Sequence, residues 1–209
     1  MGAVSRFGFF LVGAVSLAGC FGSSDDDDDD SKSGGSCSAV QGCGGDPVGV
    51  WEIVDSCASV ATTGQTGCAA GTTYGPVEAT GQFEFTADGQ VISTINLTMQ
   101  ATLRFTEQCL SEQTGQAVTI DQAACDSIAT GAGQAEGVTS VSCTLSGSAC
   151  VCPSTFQSMA GGTGTWTASG NNLIDEDGTV LPYCVNGDTL SFSGSTEGGT
   201  LGYTLRRVP

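Results

Sequence analysis

The chain has 209 residues, of which 39% are hydrophobic, 13% are charged, 32 are glycine and 11 are cysteine. Its net charge of −17 disfavours binding to nucleic acid and to anionic lipid headgroups, because an acidic surface repels phosphate. The chain contains no histidine, which excludes Ser-His and Cys-His nucleophile pairs.

The first 19 residues have the layout of a secretory signal peptide. One positive charge, Arg6, precedes an apolar run at 7–17 that is too short to span a bilayer. Residues 17–20 read Leu-Ala-Gly-Cys, which resembles the lipobox of bacterial lipoprotein precursors. The resemblance implies cleavage before Cys20, lipidation of that cysteine and attachment to the membrane through it. We therefore expect an outer-membrane lipoprotein of the bacterial cell envelope, on the periplasmic face or the cell surface; the alternative is an ordinary secreted protein.

Residues 20–36 form an acidic linker after the anchor. The six consecutive aspartates at 25–30 lie among serine and glycine, and this composition gives a solvated segment extended by its own charge. The aspartates lack the glycine turn and the spaced ligands of a calcium-binding loop. Residues 37–209 then have the length of a single domain.

The domain contains the ten cysteines that remain once Cys20 is set aside. An even number of cysteines in an exported chain predicts five disulfides, and their pairing is open. Because there is no histidine to complete a metal site, we expect no bound metal. Cys150 and Cys152 lie two residues apart on a predicted strand, so they face the same side and should reach different partners. The ten predicted disulfide cysteines are Cys37, Cys43, Cys57, Cys68, Cys109, Cys125, Cys143, Cys150, Cys152 and Cys184.

The clearest strand pattern lies at residues 95–106. Apolar and polar residues alternate strictly there, which is typical of a strand with one buried and one solvated face. The run is longer than an ordinary strand, so it predicts either a long curved barrel strand or two strands joined at a bend. Before it, Asp88 and Gly89 separate two strand-like segments and predict a hairpin.

Residues 107–139 interrupt the strands. Segment 119–128 has a capping residue and apolar positions at helical spacing, which predicts a short helix held by Cys125 and followed by a flexible run at 131–137. Further strands are predicted at 138–145 and 150–159. Short turns rich in glycine, asparagine and aspartate then join predicted strands into an up-and-down meander, at 163–169, 173–174, 180–185, 189–192 and 201–207.

Gly49, Val50 and Trp51 open the first predicted strand, and Arg206 and Arg207 end the last. This combination resembles the Gly-x-Trp and terminal arginine of the lipocalins, or calycins. The resemblance implies an all-β, up-and-down antiparallel barrel of about eight strands, with Trp51 packed at its floor and Arg206 or Arg207 covering the indole by a cation–π contact. The cysteine-rich and Gly/Thr-rich composition is similar to lipocalin-like lipoproteins of myxobacteria. A β-sandwich, which shows the same alternation, is the alternative fold.

No catalytic constellation is present in the sequence. The closest carboxylate pair, Asp175 and Asp177, lies in a predicted turn, where acids are usually solvated turn formers. There is also no P-loop and no dinucleotide-binding fingerprint. We therefore expect a protein that is not an enzyme and carries no cofactor.

Two non-enzymatic functions follow from these expectations. In the first, a rigid barrel presents its loops and the 107–139 insertion for contact with an envelope protein or surface. In the second, the barrel carries a small hydrophobic ligand, since eight strands enclose room for one small molecule or for side chains alone. Nine apolar residues on the alternating faces are candidates for a ligand cavity, or for plain core packing: Phe83, Phe85, Leu97, Met99, Leu103, Phe105, Tyr183, Phe192 and Tyr203.

Overall fold

The computed structural model describes residues 38–60, 68, 71–196 and 199–209. The predicted signal peptide, Cys20, the acidic linker and Cys37 lie outside these residues. In the described part of the chain, no helix is both long enough and apolar enough to cross a membrane.

The described residues form ten strands and two helices. In chain order they are β1 (Gly49–Val60), β2 (Thr73–Phe85), β3 (Gln90–Thr106), α1 (Glu107–Thr114), α2 (Gln122–Ala132), β4 (Val138–Val141), β5 (Thr144–Ser146), β6 (Ala149–Ser169), β7 (Asn172–Asp175), β8 (Val180–Asn186), β9 (Thr189–Thr196) and β10 (Gly199–Arg207).

Eight of these strands form an antiparallel ring. β1, β2 and β3 are neighbours in chain order, β3 pairs with β6, and β6 to β10 follow in order until β10 pairs with β1. β4 and β5 pair with β6 outside the ring. The prediction of an all-β, up-and-down antiparallel fold of about eight strands is confirmed. The closure of the ring distinguishes it from a sandwich of two separate sheets.

The ring is tight at one end and splayed at the other. Residues 49–52 of β1 pair with 82–85 of β2, and residues 166–169 of β6 pair with 172–175 of β7. Beyond these short pairings β1 continues along β10, whereas β2 continues along β3. The fold is therefore a flared ring rather than a barrel of uniform width.

Side chains fill the tight end of the ring. Inward-facing residues of all eight ring strands join one hydrophobic cluster, as alternation along each strand requires. Phe83 lies within it, with its ring centroid 5.4 Å from that of Phe192 and 5.7 Å from that of Tyr203, both at steep interplanar angles. Edge-to-face pairs of this kind add stability beyond the burial of their surface.

Glycine permits a close approach of neighbouring strands where the ring begins to flare. Gly81 has a φ of 132°, and a Cβ there would lie 1.9 Å from the carbonyl oxygen of Thr94. A Cβ on Gly161 of β6 would likewise lie 2.3 Å from the carbonyl oxygen of Ser93. Side chains at these two positions would push β2 and β6 away from β3. The curvature of the sheet formed by these three strands therefore depends on glycine at both positions.

The insertion between β3 and β6 has a small core of its own. Its two helices begin at side-chain caps, because Thr106 accepts a hydrogen bond from the backbone of Cys109 and Asp121 accepts one from that of Ala124. Beneath the helices lies a second cluster of five buried residues, joined by partly buried side chains of β3 that include Leu103 and Phe105. The buried members of this cluster are Ile120, Cys125, Cys143, Cys150 and Cys152.

The structure differs from the sequence analysis at four places. The strand predicted at 138–145 is two short strands, β4 and β5, because residues 142–143 between them are not in a strand. The α1 helix was not predicted, since its sequence has few apolar residues to show a helical period. Residues 131–137 are not a flexible run, because α2 continues to Ala132 and hydrogen-bonded turns follow it. The two strands predicted at 150–159 and 163–169 are one strand, β6, because the glycines between them stay paired with β3.

Candidate functional site

The disulfides connect the ring to the segments around it. All nine described cysteines are disulfide-bonded, Cys57 among them. The prediction that Cys150 and Cys152 reach different partners is confirmed, so β6 holds two separate bridges to the insertion. Four bridges lie wholly within the described residues: Cys43–Cys184, Cys68–Cys109, Cys125–Cys150 and Cys143–Cys152.

Trp51 closes the tight end of the ring. Its side chain is fully buried, and its indole N–H donates a hydrogen bond of 2.7 Å to the carbonyl oxygen of Pro47. The guanidinium of Arg207 lies over the indole, with its Cζ atom 4.1 Å from the ring centroid. One Arg207 N–H also donates to the carbonyl oxygen of Val48 at 2.8 Å. These contacts tie the start of β1 to the end of β10.

The two C-terminal arginines face opposite sides of β10. Arg207 lies opposite Trp51 in the β1–β10 register, whereas Arg206 lies opposite Glu52 and is exposed on the outer surface. The covering arginine is therefore Arg207, and Arg206 lies away from the indole. Gly49 allows this arrangement, because a Cβ there would lie 2.6 Å from an Arg207 guanidinium nitrogen.

A second Gly-x-Trp sequence places Trp166 inside the same end of the ring. Its indole N–H donates to the carbonyl oxygen of Gln90 at 2.8 Å, and its ring meets that of Phe85 edge-on at a centroid distance of 5.4 Å. The two tryptophans thus occupy the tight end together with the phenylalanines and leave it densely packed.

The nine residues proposed for a ligand cavity divide between several environments. Six lie in the ring core, packed against one another and their neighbours, while Leu103 and Phe105 belong to the cluster beneath the insertion. Met99 is half-buried near the splayed end. The six in the ring core are Phe83, Phe85, Leu97, Tyr183, Phe192 and Tyr203. Their role as ligand contacts stays a prediction.

A cleft of about 410 Å³ lies outside the ring, between the end of α2 and the edge strand β4. It is lined by both apolar and polar side chains, among them Thr130, Gln134, Val138 and Thr139. α2 is fixed beside it because Cys125 is bonded to β6, and the strand pairing of β4 fixes the other wall. The cleft combines accessible polar groups with a rigid frame, a combination that suits contact with another protein.

The acidic side chains of the described residues are dispersed rather than gathered into a site. Within this part of the chain, no group of three histidine, cysteine, aspartate or glutamate side chains could hold a metal ion. The Asp175 carboxylate accepts hydrogen bonds from the backbone N–H groups of Asp177 and Thr179, which confirms the predicted β7–β8 turn, although Asp175 is buried rather than solvated.

Among the described residues, the fold raises the pKa of two buried tyrosines. Burial raises the pKa of Tyr203 to about 12, because the ionised phenol loses solvation inside the ring. Burial, assisted by the charge of Asp46, also raises the pKa of Tyr183. The Tyr183 hydroxyl donates a 2.8 Å hydrogen bond to the carbonyl oxygen of Gly45, where the chain enters the ring.

Sequence reasoning missed two surface features. The α2–β4 cleft depends on long-range packing of the insertion against β6 and has no local signature. The second feature is a stretch of β6, residues 158–165, that pairs with β3 on one edge and with no described strand on the other; it did have a local signature, since these residues are uncharged and rich in glycine. No protein family, curated protein or solved structure matches the chain.

Proposed function

We propose that this chain is a lipid-anchored, non-enzymatic protein of the bacterial outer membrane whose ring is a rigid support for protein contact through the insertion. The observation that carries the proposal is that the chain's own side chains fill the tight end of the ring. Because the interior of the tight end is filled, a partner protein would bind to the outer surface of the ring. On that surface the insertion offers both the cleft and a separately stabilised core.

The attachment of the chain supports the same function. Lipidation at Cys20 and the charged linker at 20–36 would hold the domain away from the membrane while keeping it near the envelope surface. Disulfide bonding of every described cysteine is compatible with the oxidising environment of the envelope. A disulfide-linked insertion also loses little conformational entropy when it binds, which favours recognition.

The proposal is tested by site-specific photocross-linking in cells that make the protein. A benzophenone amino acid is placed at Gln134, an exposed residue of the cleft, or at Gln82, an exposed residue on the outer face of β2. We expect a defined protein adduct from position 134, none from position 82, and weaker cross-linking when Cys20→Ser removes the anchor. Equal adducts from both positions would contradict a role for the insertion.

Carriage of a small hydrophobic ligand is the second candidate function. The splayed end of the ring favours it, because Ser158 faces inward there and is nevertheless exposed. Native mass spectrometry of the purified protein separates the two functions. Extra mass that is lost on denaturation would support carriage, whereas a native mass equal to that of the lipidated chain would favour the protein-contact function.

A further inference from the structure

The β6 strand has an open edge in the middle of its length. One edge of this 21-residue strand is paired with β3 from Ala149 to Thr165. The other edge is paired with β5 and β4 at 149–156 and with β7 at 166–169. Between these two stretches, no strand of the described residues pairs with residues 158–165 along this second edge. At about 3.3 Å per residue, this gap is about 26 Å long.

The backbone of this stretch is oriented for strand pairing. The N–H of Gln157 donates to the carbonyl oxygen of Gly137 on the open side, whereas the N–H of Trp166 donates to that of Gly89 on the β3 side. Backbone groups of successive residues in an antiparallel sheet point alternately to the two edges. The N–H and C=O groups that face the gap therefore belong to Met159, Gly161, Thr163 and Thr165.

Nothing in the local sequence protects this edge. Residues 158–165 contain no charge and no proline, which are the residues that usually block edge-to-edge association. The side chain of Met159 is 87% exposed on the outer face of the strand. An exposed edge of this length is a template for an added strand, whose main-chain hydrogen bonds would supply affinity.

Both ends of the gap carry exposed carboxylates. At one end, Glu136 precedes the Gly137 that caps the β4 side. At the other end, β7 stops at Asp175, which lies opposite Trp166. The exposed residues Glu176 and Asp177 follow directly in the turn, and they therefore lie at this end of the gap. The arginines of the described residues, at 104, 206 and 207, lie elsewhere on β3 and β10. The gap therefore favours an occupant with positively charged ends.

We propose that residues 158–165 of β6 bind an extended segment of about eight residues from a partner protein, with lysine or arginine at both ends, as an antiparallel strand between β7 and β4. This inference rests on the proposed function and specifies the partner chemistry. The added strand would lie in line with β7 and β4, because both are antiparallel to β6.

The test uses the full-length protein and synthetic eight-residue peptides of alternating threonine and valine. One peptide carries lysine at both ends, a second carries glutamate there, and a third repeats the lysine peptide with N-methylated backbone amides. Binding is followed by fluorescence anisotropy, and hydrogen exchange locates the site. We expect the lysine peptide to bind at least tenfold more tightly than the other two and to slow exchange at the amides of 159, 161, 163 and 165.

Two protein variants accompany the peptides. Thr163→Pro removes one N–H from the open edge without touching a β3 hydrogen bond, and should abolish binding. The double variant Glu176→Gln with Asp177→Asn should weaken the lysine peptide about three- to tenfold. The matched control, Glu52→Gln with Glu84→Gln, removes two exposed carboxylates from β1 and β2 and should leave the affinity within twofold. If Thr163→Pro fails to fold, the difference in peptide affinity between the Glu176→Gln, Asp177→Asn variant and its control tests the inference instead.

Three results would overturn the inference: equal binding of the lysine and glutamate peptides, protection away from β6, or protection that increases with protein concentration alone. The last would show that a second copy of this chain fills the edge. Failure of the proposed function is distinguishable, because it appears as cross-linking from position 82 equal to that from position 134, whatever the peptides do.

Discussion

Replacing Arg207 with glutamine should destabilise the ring, and the same change at Arg206 should not. Both substitutions remove one positive charge from β10 at neighbouring positions, so their effect on net charge is identical. The guanidinium of Arg207 stacks on the buried indole of Trp51 and donates to the carbonyl oxygen of Val48. Arg206 is exposed on the outer face.

The expected magnitude follows from these contacts. A cation over an indole contributes about 0.5–2 kcal/mol, and a hydrogen bond from a charged donor about 1.5–3 kcal/mol. Water can reach the carbonyl groups once the guanidinium is gone, and glutamine keeps some packing. We therefore expect Arg207→Gln to lower the free energy of unfolding by about 2–3 kcal/mol, which for a domain of this size lowers the melting temperature by roughly 5–10 °C. Arg206→Gln should stay within about 0.5 kcal/mol of the parent.

Denaturant unfolding under oxidising conditions measures both variants against the parent. Tryptophan fluorescence reports on the tight end of the ring directly, because Trp51 and Trp166 both lie there and no other tryptophan is present. Equal loss of stability in the two variants would refute the reasoning, since a general charge effect would then explain both. A larger loss for Arg206→Gln would place the stabilising contact on the outer face instead.

Two further predictions concern the wall and the interior of the ring, and Gly147→Ala is the control for the first. Gly81→Ala should lower the free energy of unfolding by more than about 4 kcal/mol, because the added Cβ would collide with the Thr94 carbonyl. Gly147 has a φ of 63° and open space around it, so Gly147→Ala should lower the free energy of unfolding by only about 1–2 kcal/mol. Thermal unfolding measures both variants. The pKa of Tyr203 is about 12 in the folded protein and 10.0 in the unfolded chain. The contribution of the neutral phenol to the free energy of unfolding is therefore complete below pH 10 and is lost as the pH rises towards 12. In unfolding curves measured over a pH series, Tyr203→Phe should therefore lose less stability at alkaline pH than the parent, and the remaining loss should come from Tyr183. An unchanged dependence of the free energy of unfolding on pH would contradict burial of the Tyr203 phenol.

Features governed by neighbouring residues were predictable from the sequence. Strict alternation identified β3, although the strand extends back to Gln90, and the Asp-Gly turn identified the β2–β3 hairpin. The meander at the C-terminus followed from its short turns. The α2 helix was found because segment 119–128 has a capping residue and apolar positions at helical spacing, although the helix begins later, at Gln122, with Asp121 as its cap.

Features governed by distant partners were not predictable. The pairing of the cysteines has no local code. Cys125 and Cys143 reach Cys150 and Cys152 only because the insertion folds against β6, and Cys43 pairs with Cys184 at a sequence separation of 141 residues. The alternation of Leu103 and Phe105 continues that of Leu97, yet these side chains enter a different core, because the insertion covers the far end of β3. The open edge of β6 exists because β7 is only four residues long. The sequence of a short strand does not indicate which residues of its neighbour remain unpaired on that edge.

The β6 strand links the two surfaces proposed for recognition. Its first residues hold the insertion through Cys150 and Cys152, its last residues belong to the ring, and its open edge lies between them. Pairing with β3 along the opposite edge keeps residues 149–165 extended before any partner binds. An added strand would therefore order itself on a preformed template, so less of its binding energy would be spent on ordering the protein. A partner that also reached the α2–β4 cleft would gain a second contact from the same frame, since β4 and the open edge lie along one side of β6.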